Sequence, residues 1–495
     1  MISAYTAEDI RAAERPVLDA GQPLMQRAAR ALAGHVAKRL RTPEAPHVLA
    51  LVGSGANGGD ALHAAAILRG EGITADAITT AGTLHEDGAA ALRAADGMIH
   101  PLGQLAPEAI DALLTEADLV LDAIVGIGGR PEIPADLVPL LEAVTAAGVP
   151  VLAVDLPSFV DATTGQAAPG ALVAQATVTF GALKAGLLLP GGAERAGRIH
   201  PVDLGLEEHL PSVPAVHRLE DEDVRALWPH PGRDATKYSR GVVALAAGSV
   251  RFPGAAVLAT SGAARAGAGM VRCVAPQEVL DLVLRARPEI VGHRTGTVDL
   301  EEIGRTHALV VGPGLPGEDP RTRTGVALLA DSGGLDRGVI DAGGLEAITP
   351  QQRFGPGVVL TPHRGEADRL AERLGVDAHL PGPGLATALA ARTGATVLLK
   401  GAITLVAPGD GGPLRSQDDA TSQLATAGTG DVLAGVLGTL LAAGLEGPDA
   451  AALAAILHGR AGRLASLGGR LPLVALDVAD HLPRALGDIL ADALS

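Results

Sequence analysis

Three stretches of this chain combine residue types and spacings that can do chemistry. The first is GSGANGGD, Gly53 to Asp60, set between a run of strand character and one of helix character. Gly53, Gly55 and Gly58 fit the three-glycine pattern in which missing side chains let a pyrophosphate approach backbone N–H groups at a helix start. The second is a pair of acids, Asp122 in LVLDAIVGIGGRPE and Asp155 in VLAVDLPSFVDATTG, each at or near the end of an apolar run. Asn57, Asp122 and Ser158 together would be hard oxygen ligands, suited to an alkali or alkaline-earth cation rather than zinc. Gly126, Gly128 and Gly129 would add a second backbone cradle. The plainer reading of each acid is a cap on the helix that follows. The third stretch is TAGTGDVLAGVLGTLLAAG, where Gly428, Thr429, Gly430 and Asp431 open an apolar helix. Backbone N–H groups there form a polarised nest for a phosphoryl group, and Asp431 can take a proton from an attacking hydroxyl. Its plainer reading is an N-cap. Lys400 in VLLKGAITLVAP, His363 in TPHRGE and the turn VVGPGL end other strand-like runs. A hairpin turn at Lys400 and a structural role for His363 are the alternatives there.

The elements that must position these residues alternate along the chain. Ala-rich text from Thr6 to Leu40, interrupted at Pro16 and Gly21, predicts two helices. Apolar runs at 47–52, 73–79, 119–125 and 149–154 predict strands, separated by helical text at 60–69 and 137–147. Strands that are apolar throughout and alternate with helices imply parallel sheets covered on both faces. A Pro- and acid-rich segment around Glu207 to Val216 reads as a linker. A second alternation begins at Gly241 and ends in helices from Asp431 onward. The expected architecture is two tandem three-layer α/β domains.

Composition narrows the function. The chain has 495 residues, a net charge of −17 and only one Trp, two Tyr and four Phe. Such a surface repels phosphate backbones and anionic headgroups, and few rings are available to stack on bases, so neither nucleic acid nor a membrane is an expected partner. A single cysteine, Cys273, excludes an intrachain disulfide framework and is read as a buried hydrophobe. Acids at Glu8 and Asp9 do not fit an export signal. A cytoplasmic protein is expected. A redox Rossmann domain would carry an acid after the second strand to hold a ribose hydroxyl, but Thr79 and Thr80 stand there; Asp60 would also repel a phosphate.

The first half resembles the NAD(P)H-hydrate epimerase domain over about residues 1–213, through Gly53 to Asp60, Asp122 with its following glycines, DLPSFVDATTG and TVTFGALKAGLLLPGGAERAG. The resemblance implies a Rossmann-like fold that interconverts the R and S epimers of hydrated NADH and NADPH. It implies that Ala56, Asn57, Gly58, Gly59 and Asp60, with Gly126, Ile127, Gly128, Gly129, Arg130, Pro131 and Glu132, contact the dinucleotide. It also implies a potassium ion on Asn57, Asp122 and Ser158, with Asp155 as substrate-contacting acid/base; Lys184 matches a lysine of the pattern. The family usually has Asn at Ala56 and Gly-Leu at Phe159-Val160.

The second half resembles the ribokinase-like ADP- or ATP-dependent NAD(P)H-hydrate dehydratase over about residues 220–495, through ATKYSRG, GSVRFPGAAVLAT, GPGL, TPHRGE, KGAIT and AGTGDVLAG in that order. The implied roles are hydrate contacts from Ala255, Gly314, His363 and Asp431, and adenine-nucleotide contacts from Lys400, Gly401, Ala402, Ile403, Thr404 and Gly430. Asp431 would be the general base, with magnesium and ADP or ATP as cofactors. In DAGGL, Gly343 replaces the family's second Asp. Small molecules are the expected partners, in a homo-oligomer. The other function weighed is a ribokinase-like small-molecule kinase carrying an inactive Rossmann-like binding module.

Overall fold

The computed structural model describes residues 1–40, 45–295, 303–331 and 333–491. Among these no helix is long and apolar enough to cross a membrane. Two compact units form: Ser3–Val216, and His217–Ser495 together with Met1–Ile2, which includes the start of the short strand β1 (Ile2–Ala4).

The first unit is built on a seven-stranded sheet of β2 (His47–Val52), β3 (Thr74–Thr79), β4 (Ile99–Pro101), β5 (Leu119–Ala123), β6 (Val151–Val154), β7 (Ala176–Phe180) and β8 (Arg198–Val202). All neighbours are parallel, in the order β4-β3-β2-β5-β6-β7-β8. The order reverses between β2 and β5, so the loops after these strands diverge and open a crevice at the carboxyl edge. Side-chain alternation makes three layers. Val48, Ala50 and Val52 join one core with Leu32, Leu62 and Leu92, while Leu49 and Leu51 join another with Leu114 and Leu141. The first helix runs through Pro16, from Ala7 to Asp19, against the expected interruption. Pro16 forfeits only the hydrogen bond to the Ala12 carbonyl, and the helix ends within a turn of it, so little is left to kink.

The second unit carries β9 (Val216–Arg218), β10 (Val242–Ala246), β11 (Met270–Ala275), β12 (Val291–Arg294), β13 (Ala308–Val311), β14 (Gly338–Ile340), β15 (Val358–Leu360), β16 (Thr396–Leu399), β17 (Thr404–Ala407) and β18 (Leu414–Gln417). Within the sheet they run β9-β18-β17-β16-β15-β14-β13-β10-β11-β12. Strands β10 to β16 pair in parallel, whereas β16, β17 and β18 form an antiparallel meander, of which the sequence offered the β16–β17 hairpin as an alternative and did not show β18. Helix Thr429–Ala442 is buried continuously from Val432 to Ala442. It packs so closely on helix Gly254–Arg265 that a Cβ on Gly435 would meet the Ala259 carbonyl oxygen at 2.0 Å. That contact fixes the axis of the helix and therefore where Asp431, in its first turn, stands.

Candidate active sites of the two units

In the first unit the carboxyl ends of β2, β5, β6 and β7 bring the predicted residues together. Asp155 follows β6 with φ of 68°, a left-handed conformation rare for a residue with a side chain. Its Oδ1 accepts from Phe180 N (3.1 Å), Thr179 Oγ1 (3.3 Å) and Lys184 Nζ. Lys184 is 1% exposed, and its ammonium also donates to Thr179 Oγ1 (3.1 Å) and the Phe180 carbonyl (2.8 Å). Three donors therefore meet three acceptors, as a buried ammonium needs. The capping alternative for Asp155 fails, because its bonds run to β7 and Lys184.

It fails for Asp122 as well. That side chain is fully buried on β5; Oδ2 accepts from Ser158 N at 2.8 Å, while Oδ1 has no hydrogen-bond partner among the described residues. Burial pushes its carboxyl pKa up, with the Ser158 hydrogen bonds opposing. Ser158 Oγ accepts from Val125 N at 3.0 Å, tying the loops after β5 and β6 to each other. Asn57 is buried in the first turn of helix Ala56–Gly70, and among the described residues neither its Oδ1 nor its Nδ2 has a hydrogen-bond partner. A Cβ on Gly126 would lie 3.2 Å from Asn57 Cβ, so the two glycine-bearing loops touch at that residue. Ile127 offers its carbonyl to Arg11, while Gly128, Arg130 and Glu132 are less buried than Gly58 or Gly59. A Cβ on Gly58 would strike the Gly53 carbonyl oxygen at 2.2 Å, which keeps this turn free of side chains and its N–H groups accessible to a ligand.

Asp60 lies in the second turn rather than the first, and burial, with Asp155 and Glu14 adding and Lys184 opposing, pushes its pKa up to about 8. It is therefore largely neutral at pH 7, and the expected repulsion of a phosphate does not arise. Glu14, which the sequence did not single out, is pushed up by burial; Lys184 opposes and Asp155 adds, placing it within reach of the same group of charges. Thr79 and Thr80 spend their hydroxyls on the Ala81 and Val52 carbonyls. A cavity of about 660 Å³ opens beside them, at the carboxyl ends of β3 and β4, large enough for part of a nucleotide.

In the second unit Gly428 is the N-cap residue with φ of 91°, and Asp431 sits in the first turn without capping it. Thr429 Oγ1 donates to the Leu424 and Thr426 carbonyls (2.8 and 3.0 Å), and His458 Nε2 lies 2.9 Å from the Thr429 carbonyl. The loop is thus braced from behind. Burial, with Asp341 adding and Lys400 opposing, pushes Asp431 up to about 7. Burial also drives His458 down to about 4, so it stays neutral.

Lys400 does begin the β16–β17 hairpin turn, yet its side chain leaves that turn. Nζ donates to Asp341 Oδ1 at 2.9 Å and lies 3.6 Å from Glu366 Oε2. A Cβ on Gly430 would lie 3.6 Å from it, so Lys400 and the nest are neighbours. His363 is the N-cap of helix Arg364–Leu374 through Nδ1, its structural role, with the side chain half exposed. Ala255 and Gly314 meet each other: a Cβ on Gly314 would be 2.5 Å from that of Ala255. Gly401 and Ala402 are exposed, Ile403 is buried, and Thr404 opens β17. Cys273 is fully buried, its thiol pushed up to about 12 by burial. A side chain at Gly343 is sterically excluded, since a Cβ would meet the Leu315 carbonyl oxygen at 1.9 Å. A second cavity in this unit, about 450 Å³ beside Trp228 and Thr439, lies at the opposite sheet edge, where β10 begins.

Comparison with known proteins gives this geometry a context. Residues 243–484 match the family model of NAD(P)H-hydrate dehydratase, and residues 21–186 match that of the YjeF-related protein N-terminus. The bifunctional NAD(P)H-hydrate repair enzyme Nnr of Mycobacterium leprae is 40% identical over 498 residues, covering 97% of this chain and 98% of its own. The solved ADP/ATP-dependent NAD(P)H-hydrate dehydratase from Bacillus subtilis, co-crystallised with ATP and magnesium, is 31% identical with a TM-score of 0.47; the match covers 55% of this chain and 97% of that one. A ribokinase-like superfamily protein from Enterococcus faecalis, 22% identical over 56% of this chain and 96% of its own, has a TM-score of 0.50 and shares the fold of the second unit. With both halves matched in order and nearly the whole length shared, the chain belongs to the family of bifunctional NAD(P)H-hydrate repair enzymes.

Proposed function

We propose that this chain repairs hydrated NADH and NADPH at two separate sites, epimerising the hydrates in the first unit and dehydrating the S form in the second with an adenine nucleotide. One observation carries the reading: each sheet holds, at its carboxyl edge, a largely buried carboxylate that caps no helix and has a lysine close by. The alternative of a kinase with an inactive appended module leaves Asp155, Lys184 and Asp122 without a purpose.

In the first unit, Gly53 to Asp60 and Gly126 to Glu132 cradle the dinucleotide. Epimerisation needs the ring nitrogen to push out the hydroxyl on the neighbouring carbon as water, and water to return on the other face. Asp155 gives and takes the proton. None of its bonds uses Oδ2, so Lys184, Thr179 and Phe180 hold Oδ1 while the second oxygen serves the substrate. The unpartnered oxygens of Asn57 and Asp122, with Ser158 Oγ beside them, fit potassium, a weakly hydrated cation that takes neutral and anionic oxygen. Bound there, the ion would supply a fixed positive charge at the carboxyl edge of the sheet.

In the second unit, Ala255, Gly314 and His363 receive the hydrate, while Lys400 to Thr404 and Gly430 receive the nucleotide. Asp431 takes the proton of the ring hydroxyl as its oxygen attacks the terminal phosphorus. The C–O bond then breaks, phosphate leaves with the electron pair, and loss of a proton from the adjacent carbon restores the double bond. Asp341 and Glu366 are already engaged by Lys400, which fits magnesium carried in by the nucleotide phosphates rather than caged by the protein.

The test supplies R and S hydrate separately with ADP or ATP and follows recovery of NADH absorbance. S is expected to recover only with nucleotide, and R at the rate of its conversion to S. Recovery of S without nucleotide, or failure of R to convert, would reject the assignment.

A further inference from the structure

Lys400 stands among three carboxylates, Asp341, Glu366 and Asp431, and the first two take no direct part in the chemistry described so far. Asp341 follows β14, is 2% exposed, and accepts at Oδ1 from Thr361 Oγ1 (2.8 Å) as well as Lys400 Nζ (2.9 Å). It does not cap the short helix Gly343–Glu346, which has no side-chain cap bond. Strain surrounds it. Ala342 has φ of 47°, and the Asp341 carbonyl lies so near Gly312 that a Cβ there would meet it at 1.8 Å. Burying a carboxylate in a strained turn is costly unless the turn delivers that carboxylate to a fixed place.

We propose that Asp341 is a positioning residue for dehydration: it anchors Lys400 so that the ammonium reaches the nucleotide phosphates without pairing with Asp431, which stays free to take the hydrate's proton. This rests on the reading of Asp431 as general base.

The charges that face this group all matter to the sign of the effect. Asp431 faces Asp341 and Lys400. Lys400 faces Asp341, Glu366 and Asp431; burial disfavours its charge, and the three carboxylates together hold its pKa above the usual value. Glu366 lies 3.6 Å from His363 Nε2. His458, behind Thr429, is neutral and adds no charge. Replacing Asp341 by Asn removes a negative charge near Asp431 and also releases Lys400 toward it. Both changes favour ionised Asp431, so the acid limb of the dehydration rate, expected near pH 7 in the parent, moves to lower pH.

The experiment measures kcat and KM for S-hydrate dehydration from pH 5 to 9 in the parent, Asp341→Asn, Asp341→Glu and Thr361→Val, with thermal unfolding of each as a check on folding. Asp341→Asn is expected to move the acid limb down by about one unit and to lower the plateau kcat, because a weaker base accepts the proton less readily. Asp341→Glu keeps the charge and is expected to hold the limb near that of the parent. Thr361→Val frees the carboxylate without removing it, giving a smaller downward shift, and it carries the test if Asp341→Asn does not fold. A uniform fall in kcat with an unmoved limb in Asp341→Asn, or in Thr361→Val should that variant carry the test, would overturn the proposal. If Asp431→Asn retained dehydration, the assignment of the base itself would fall instead, a distinct outcome.

Discussion

The two units solve the same problem, a carboxylate held at the rim of a parallel sheet, in opposite ways. In the first, Lys184 is sealed inside and bonds directly to Asp155. In the second, Lys400 is tied to Asp341 and Glu366, and Asp431, without an ion-pair partner among the described residues, is pushed up to about 7. The difference fits the roles proposed for the two acids. Epimerisation asks one group both to give and to take a proton on a substrate whose phosphates lie elsewhere, and a lysine locked to the acid sets its geometry. Phosphoryl transfer needs the cation on the phosphates and the base on the hydroxyl, so the two must be kept apart.

The largest effects should come from breaking each acid alone. Asp431→Asn is expected to lower nucleotide-dependent dehydration by about 10²–10⁴-fold while R–S exchange, followed by chromatography of the epimers, continues. Asp155→Ala is expected to do the reverse. Equal loss of both activities in either variant would merge the sites and end the comparison.

Removing the lysines should then separate stability from binding. Lys184→Met leaves the Asp155 carboxylate in a tight pocket without its ammonium, and is expected to destabilise the first unit by about 3–5 kcal/mol in denaturant unfolding. Lys400→Met acts on a side chain 22% exposed. Its main expected effect is a higher KM for nucleotide, with a smaller change in unfolding.

A more modest effect is expected at Phe159, where the family usually has Gly. Its φ of 65° is strained, and its ring is 3% exposed within the core of the first unit. Phe159→Gly relieves about 1 kcal/mol of backbone strain but forfeits about 3–5 kcal/mol of burial, so the net is a loss of about 2–4 kcal/mol. Unfolding curves read it directly, and a stabilised variant would show that the ring packs poorly.

Per pH unit the smallest effect is a slope of at most about 1.4 kcal/mol. Asp60 binds its proton more tightly folded than unfolded, so the folded state holds the extra proton between about pH 4 and 8 and loses stability as pH rises through that window. Asp60→Asn should flatten the slope of unfolding free energy against pH in the first unit; an unchanged slope would mean that Asp60 is not the group responsible.

Much of this was legible in the sequence because it lies in single loops. The run 47–52 coincides with β2, and the runs 73–79, 119–125 and 149–154 contain β3, β5 and β6, since buried parallel strands are apolar along their length. Asp155 and Asp431 stand out because each follows or opens an apolar element. The sequence could not show that Lys184 is buried, that Thr361 and Asp341 share an oxygen bond, or that Glu14 sits near Asp155. Those contacts join residues 20 to about 140 positions apart and exist only after the sheets form. Strand β18 was missed because LRSQ, at 414–417, is polar enough to read as loop.

The claim that each unit holds one complete and independent site is tested most directly by complementation. Asp155→Ala and Asp431→Asn proteins, mixed in equal amounts, receive pure R hydrate and nucleotide, and NADH absorbance is followed. The account predicts recovery by the mixture, because R converts to S on the second variant and S is dehydrated on the first. No recovery by the mixture, while each variant alone keeps its remaining activity, would contradict it.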